Sequence, residues 1–132
     1  MGLIEGGDYI KKMNWESVNG IMAHGGTKIG SVRCAEFRKP EGRYAATVNL
    51  VKKNVSTLIV IGGDGSLTGA DILDQEWSQN VQKAIENNDI TGDFDNNKQL
   101  KVFGLVGSID NDFADYTMTI GTDSALSRYF LL

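Results

Sequence analysis

The chain has 132 residues, of which 41% are hydrophobic and 23% charged, and its net charge is −4, a composition typical of a globular domain or part of one. The negative charge leaves no basic surface for nucleic acid or an anionic membrane, and the apolar runs are too short to span a bilayer. The single cysteine, Cys34, excludes an internal disulfide and a zinc site built from cysteines.

The first part of the chain predicts two helices with a turn-rich segment between them. Residues 14–24 carry apolar side chains at helical spacing, with Asn14 as the cap and two glycines after the end. Residues 43–54 repeat the apolar spacing and end with two lysines, which favour the carboxyl end of a helix. We expect Trp15, in the first of these helices, to lie in the core.

A strand, a helix and a second strand follow. Residues 56–61 (STLIVI) form a continuous apolar run, typical of a parallel strand that is buried on both faces. Ser66 is predicted to cap a helix that turns Ile72, Leu73 and Trp77 inward, and residues 100–106 (LKVFGLV) form the next strand. This order is that of a βαβ unit, so the predicted fold class is α/β with a parallel sheet.

A polar segment precedes the second strand, and a further helix ends the chain. Residues 86–99 are rich in turn formers and predict an exposed loop or insertion. The last helix is expected to begin with Thr122 or Asp123 as its cap, and the chain stops two or three turns later. We therefore expect residues 1–132 to be part of an incomplete domain, with no internal boundary.

The sequence VIGGDGSLTG, residues 60–69, places a glycine-rich turn directly after the first strand. Such a turn lets backbone amides approach a phosphate at the start of a helix, yet it has neither the lysine of a Walker A loop nor the dinucleotide spacing. Asp64 would repel a phosphate unless Mg²⁺ bridged the two, and Mg²⁺ is commonly held by one or two carboxylates together with phosphate oxygens. The alternative is a simple connection between strand and helix.

The sequence GSIDND, residues 107–112, follows the second strand. Because the carboxyl ends of parallel strands meet at one sheet edge, we expect Asp64, Asp110 and Asp112 to lie in one region. Three neighbouring carboxylates are unfavourable unless a cation or a proton-transfer role compensates for their repulsion. Asp110 is the candidate to orient a substrate hydroxyl and accept its proton, Asp112 can hold a metal or orient its neighbours, and Ser108 can bind a phosphate. The alternative is an exposed Asx turn.

Five segments in register resemble the ATP-dependent 6-phosphofructokinases. They are GGTKIGSVR, EFR, VIGGDGSLTGAD, VGSIDNDF and MTIGTDSAL, and the resemblance runs from about Gly6 to Arg128. The polar stretch between Trp77 and Leu100 resembles the insertion of the eukaryotic members, and the intact GGDGS and SIDND segments resemble the catalytic N-terminal half of their duplicated chain. The resemblance implies a three-layer, parallel-sheet phosphofructokinase-like fold, of which residues 1–132 are an incomplete part.

The resemblance also implies roles for individual residues. Asp110 resembles the base that accepts the proton of the sugar 1-hydroxyl, and Asp64 resembles the Mg²⁺ ligand. The implied ATP contacts are Arg33, Cys34, Gly63, Asp64, Gly65 and Ser66. The implied fructose 6-phosphate contacts are Ser108, Ile109 and Asp110, and Asp112 is similar to a second acid that supports the metal or the loop.

Two glycines bear on the phosphoryl donor. Relatives that use pyrophosphate carry Asp where Gly65 stands and Lys where Gly107 stands, so this chain resembles the ATP type. A side chain at Gly65 would occupy space that the nucleotide needs. The sequence departs from the family at residues 114–117 (ADYT) and at the ending SRYFLL, and the family's first glycine loop and its downstream sugar-phosphate residues are missing.

For the whole enzyme, the resemblance implies an allosteric, cytoplasmic, glycolytic kinase. It would use ATP, Mg²⁺ and fructose 6-phosphate and form a homo-oligomer, typically a tetramer, with neither a nucleic acid nor a membrane as partner. Two alternatives stay open. One is a catalytically incompetent nucleotide-binding fragment, and the other is a lipid or NAD kinase, a class that shares the GGDG loop but lacks GSIDND and the upstream GTxxGSxR segment.

Overall fold

The computed structural model describes residues 1–91 and 99–130, which form two compact units. Unit 1 comprises residues 1–54 and 80–91, and unit 2 comprises residues 55–79 and 99–130. Half of the predicted exposed loop over residues 86–99, namely residues 92–98, lies outside the described residues. Within the described ranges, every helix is too short or too polar to cross a membrane.

Unit 1 is built on two helices joined by short 3₁₀ turns. Helix α1 spans Gly2–Glu5 and helix α2 spans Pro40–Lys52, so the predicted second helix is confirmed and begins three residues early, with proline in its first turn. The 3₁₀ turns are Gly7–Tyr9, Glu16–Val18, Ile21–Ala23 and Glu36–Arg38. Asn49 of α2 holds α1 in place, because its amide nitrogen donates to the carbonyl oxygens of Leu3 at 2.9 Å and Ile4 at 2.8 Å.

The predicted helix over residues 14–24 is wrong. The segment forms two separate 3₁₀ turns, and Gly20 between them takes the left-handed conformation, with φ of 74°. A left-handed residue ends a right-handed helix, which is why the apolar spacing does not produce one. The Asn14 Oδ1 accepts from the Ser17 amide at 2.9 Å, although the cap position of the first turn is held by Trp15. Trp15 is 90% exposed and is not a core residue.

A small apolar cluster joins α2 to the end of the next helix within unit 1. Val48, Ala84 and Ile90 form its buried centre. Beside it, the Tyr44 hydroxyl donates to Asp89 Oδ2 at 2.5 Å and accepts from Asn87 Nδ2 at 3.1 Å. The hydrogen bond to Asp89, assisted by partial burial, raises the pKa of Tyr44, so this contact is strongest while the phenol is protonated.

Unit 2 contains the predicted βαβ arrangement. Strand β1 spans Thr57–Gly62, helix α3 spans Asp64–Glu86 and continues into unit 1, and strand β2 spans Lys101–Val106. The strands are parallel, in a register that runs from Thr57 opposite Lys101 to Gly62 opposite Val106. Leu73 and Trp77 of α3 are buried as predicted. The α/β class with a parallel sheet is therefore confirmed, for a partial domain.

One face of the sheet is open, so the predicted burial of β1 on both faces is wrong for this chain. The exposed face carries Ile59, Ile61, Phe103 and Leu105, and Ile61 is 64% exposed. On the other face Leu67 of α3 lies against the backbone at Gly104, and Leu58 and Val60 are half-buried. A continuous apolar run does not by itself show whether one or both faces of a strand are covered.

Both predicted helix caps in unit 2 are wrong by a few residues. Helix α3 begins at Asp64, and the carbonyl of Gly63 accepts the amides of Ser66 at 3.0 Å and Leu67 at 3.1 Å. Ser66 therefore lies inside the first turn. Helix α4 spans Thr122–Tyr129, with Gly121 as its cap at φ of 84°. In both cases a glycine takes the position that a side-chain cap would have held.

Candidate active site

Two loops lie side by side at the carboxyl edge of the sheet. The glycine loop, residues 63–66, follows β1, and the SIDND loop, residues 108–112, follows β2. The Gly107 amide donates to the Gly62 carbonyl oxygen at 2.7 Å, one step beyond the ladder. A Cβ built at Gly63 would lie 3.9 Å from the Cβ and the Oγ of Ser108. The two loops are thus neighbours at this edge, as the βαβ pattern predicts.

The glycine loop is the amino end of a long helix. Helix α3 has 23 residues, and the amides of Asp64 and Gly65, as in any first helical turn, have no acceptor inside the helix. Free amides and the positive end of the helix dipole favour an anion at this position. A Cβ at Gly65 would meet no atom within 4 Å, so the space beside this backbone is open to a ligand.

Asp64 is exposed in the first turn of α3. Within the described ranges, no three His, Cys, Asp or Glu side chains are grouped closely enough to hold a metal ion. The loops of Asp64, Asp110 and Asp112 therefore adjoin without forming a carboxylate cage. A single exposed carboxylate beside free amides fits Mg²⁺ that keeps its waters and shares phosphate oxygens, the mode in which Mg²⁺ binds nucleotides.

Ser108 anchors the SIDND loop from the inside. It is 6% exposed, its Oγ donates to Asp112 Oδ1 at 3.1 Å, and the same oxygen accepts the Asp110 amide at 3.3 Å. Asp112 is thereby held by the loop, while Ile109 and Asp110 project outward and are exposed. Among the described residues, nothing donates a hydrogen bond to the Asp110 carboxylate, which leaves its oxygens available to a bound hydroxyl.

A second set of hydrogen bonds holds the loop from the other end, and sequence reasoning missed it. The Asn111 amide donates to Thr119 Oγ1 at 2.9 Å, and the Thr119 amide donates to Asn111 Oδ1 at 3.1 Å. The Ile120 amide also donates to the Ser108 carbonyl oxygen at 3.1 Å. The sequence does indicate a turn at Asn111, because asparagine tolerates positive φ. Its partner Thr119 lies eight residues away, however, and spacing alone does not identify it.

Arg33 and Cys34 belong to unit 1. Arg33 is exposed, and the Cys34 thiol donates to Glu36 Oε2 at 3.4 Å. A backbone hydrogen bond to Glu36, together with this thiol, lowers the pKa of the Glu36 carboxyl. A role for Arg33 and Cys34 in binding ATP stays a prediction.

Comparison with known proteins identifies the family. The family model Phosphofructokinase matches residues 1–130. The chain is 54% identical over 132 residues to the human muscle-type ATP-dependent 6-phosphofructokinase, with 96% of this chain and 16% of the relative covered. It is 48% identical over 128 residues to the ATP-dependent 6-phosphofructokinase of Yarrowia lipolytica, with 96% of this chain and 13% of the relative covered.

Solved structures agree. The phosphofructokinase of Saccharomyces cerevisiae superposes with a TM-score of 0.88 at 48% identity, over 96% of this chain and 17% of that one. Phosphofructokinase from Pichia pastoris in the T-state superposes with a TM-score of 0.77 at 41% identity, over 96% of this chain and 13% of that one. The chain thus spans about a sixth, or less, of the length of the relatives that it matches. From the family match and these identities, the chain belongs to the phosphofructokinase family.

Proposed function

We propose that this chain is part of the catalytic N-terminal half of an ATP-dependent 6-phosphofructokinase, which transfers the γ-phosphoryl group of ATP to the 1-hydroxyl of fructose 6-phosphate. The observation that carries the proposal is the adjacency of the two loops, since Gly62 and Gly107, the residues directly before them, are hydrogen-bonded at 2.7 Å. This adjacency supports a shared site, in which the amino end of α3 would bind the phosphates of ATP and Asp110 would meet the sugar hydroxyl.

The two loops have different proposed roles in the reaction. The first-turn amides of α3, at Asp64 and Gly65, hold the phosphates of ATP, with Gly63 and Ser66 beside them. Asp110 accepts the proton of the 1-hydroxyl as the hydroxyl oxygen bonds to the γ-phosphorus, and ADP leaves with the bridging oxygen. Asp64 would hold Mg²⁺, which neutralises charge on the phosphates when bound.

The sugar side of the site rests on the SIDND loop. Ser108, Ile109 and Asp110 are the proposed contacts to fructose 6-phosphate. Because the Ser108 hydroxyl is engaged within the loop, its contribution is to shape the backbone under Asp110 as well as to meet the substrate. For the whole enzyme we further propose cytoplasmic location, allosteric control and assembly into a homo-oligomer, typically a tetramer.

The test is Asp110→Asn in the full-length enzyme. Removal of a positioned base typically lowers turnover about 10²–10⁴-fold, while binding of ATP is retained because the glycine loop is untouched. The matched control is Asp115→Asn, which makes the same chemical change at an exposed residue of the following turn, where φ is 65° and asparagine is tolerated. Turnover of Asp110→Asn equal to that of Asp115→Asn would remove Asp110 from the base role.

The coverage of the relatives favours a second candidate for the chain taken alone, a nucleotide-binding segment without catalysis. The chain covers 16% of the human relative. We expect the isolated chain to show no consumption of ATP that depends on fructose 6-phosphate. Steady turnover by the isolated chain, abolished by Asp110→Asn, would contradict this candidate.

A further inference from the structure

The segment from Ser108 to Ile120 is closed into a loop by hydrogen bonds at its two ends. Asn111 and Thr119 exchange two bonds, each from the backbone amide of one residue to the side-chain oxygen of the other, at 2.9 and 3.1 Å. The Ile120 amide reaches the Ser108 carbonyl oxygen at 3.1 Å. These three bonds fasten the loop that carries Asp110 to the residues that lead into α4.

The backbone of this loop is left-handed at two residues. Asn111 has φ of 56° and Asp115 has φ of 65°, in the left-handed region that asparagine and aspartate enter more readily than other non-glycine residues. Such a conformation persists where surrounding bonds fix it. At Asn111 those bonds are the two exchanged with Thr119, whose side chain is half-buried.

Asp110 lies between two fixed neighbours. Its own amide is bonded to the buried Ser108 Oγ at 3.3 Å, and the next residue is the left-handed Asn111. In the described part of the chain, the Asp110 carboxylate itself accepts no hydrogen bond. Its direction is therefore set by the backbone on either side of it, and on the carboxyl side by the bonds between Asn111 and Thr119.

We propose that Asn111 and Thr119 act together as a clamp of positioning residues, which aims the Asp110 carboxylate at the substrate hydroxyl. This inference rests on the proposed function, because it assigns the clamp to the proposed base. Without the clamp, φ at Asn111 relaxes toward the right-handed regions and the peptide after Asp110 rotates. The carboxylate then leaves the hydroxyl, although neither clamp residue touches the substrate.

Three variants of the full-length enzyme separate positioning from folding. Thr119→Val removes the oxygen that accepts the Asn111 amide and keeps the size of the side chain, whereas Thr119→Ser keeps the oxygen and serves as the matched control. Asn111→Gly removes the acceptor for the Thr119 amide and accepts positive φ without strain. Since a shift of about 1 Å in a reacting group can cost about 10²-fold, we expect kcat to fall between about 10- and 100-fold in Thr119→Val and Asn111→Gly.

Two further readouts distinguish a clamp from a general structural role. We expect the KM for ATP to stay within about twofold of the wild-type value, because the backbone hydrogen bonds seen in the glycine loop go to the Gly63 carbonyl oxygen and do not involve Thr119. Thr119→Ser retains kcat within about threefold. The double variant loses less than the product of the two single losses, since both bonds serve one conformation. Wild-type kcat in both Thr119→Val and Asn111→Gly, or an equal loss in Thr119→Ser, would overturn the proposal.

The clamp and the proposed function fail in different ways. If Asp110→Asn is inactive while the clamp variants are fully active, only the clamp is wrong; if Asp110→Asn retains wild-type turnover, the base role and the clamp built on it are both wrong. Should Thr119→Val not fold, Asn111→Gly carries the kinetic test. Amide hydrogen exchange gives a readout without turnover: we expect the Thr119 amide to be protected and Asn111→Gly to abolish that protection, whereas an unprotected Thr119 amide in the wild type contradicts the clamp.

Discussion

Gly107 packs so closely against Gly62 that a side chain there would be crowded. The amide nitrogen of Gly107 lies 2.7 Å from the carbonyl oxygen of Gly62. A Cβ at Gly107 would lie 3.1 Å from the backbone nitrogen of Gly62 and 3.0 Å from Ile61 Cγ2, closer than ordinary carbon contacts. The absence of a side chain at Gly107 thus sets how near the two loops of the site can come.

Replacing Gly107 should therefore separate the loops. We expect Gly107→Ala to lower the free energy of unfolding by roughly 1–3 kcal/mol, the usual cost of overpacking, and to lower turnover because Asp110 moves away from the amides of α3. Urea denaturation and steady-state kinetics of the full-length enzyme measure the two effects. Wild-type stability together with wild-type kcat in this variant would show that the approach of Gly107 to Gly62 is not needed.

Gly65 offers the opposite case at the same site. A Cβ there meets no atom within 4 Å, and alanine is the better helix former by about 1 kcal/mol. We expect Gly65→Ala to leave stability unchanged or to raise it by up to about 1 kcal/mol, yet to raise the KM for ATP several-fold, because the methyl group enters the space proposed for the phosphates. Unfolding curves and ATP titrations check both parts, and an unchanged KM places the nucleotide elsewhere.

Asn49 predicts a difference between two substitutions in unit 1. Its amide nitrogen donates to two carbonyl oxygens of α1, at 2.9 and 2.8 Å. Asn49→Ala removes both donors and should destabilise unit 1 by about 1–2 kcal/mol. Asn49→Asp should cost more, since it faces the same carbonyl oxygens with a charged acceptor. Amide exchange and urea denaturation rank the variants, and an aspartate variant as stable as wild type contradicts the contact.

Tyr44 predicts a dependence on alkaline pH. Because the folded-state pKa of Tyr44 is raised by Asp89, its hydrogen bond contributes fully below the ordinary tyrosine pKa of about 10, and the contribution is lost as the pH rises through the folded-state value. Tyr44→Phe should lower stability by roughly 1 kcal/mol at neutral pH and flatten the alkaline decline. Tyr9→Phe is the control, since Tyr9 is exposed; equal alkaline declines in both variants contradict the Tyr44–Asp89 contact.

The sequence predicts the central βαβ unit well because its signals are local. The apolar runs of β1 and β2 and the inward spacing of Leu73 and Trp77 depend on neighbours within a few residues. The helix expected around Trp15 fails for a physical reason: Gly20 adopts a left-handed conformation that apolar spacing does not register. The exposure of Ile61 could not be predicted from neighbouring residues either. The burial of a strand residue depends on which other elements pack on the sheet.

The candidate site, too, could be predicted only where the signals in the sequence are local. Asp64 and Asp110 stand out from their positions in the sequence, since each is an acid that follows an apolar strand, and the parallel sheet brings their loops together. The bonds between Asn111 and Thr119 could not be predicted in the same way, because they depend on the path of the intervening turn. Likewise, no sequence motif indicates that Ser108 is buried and that its hydroxyl is hydrogen-bonded within the loop.

The parallel pairing of β1 and β2 has a consequence for the order in which the site forms. The first paired residues, Thr57 and Lys101, are separated by all of α3 and the polar segment after it, so a long loop must close before the ladder exists. Contacts of such separation form slowly, whereas α3 can form locally. The glycine loop and the SIDND loop become neighbours only when the strands join, so we expect nucleotide affinity to appear late during refolding, in step with β-sheet formation and after the helical signal.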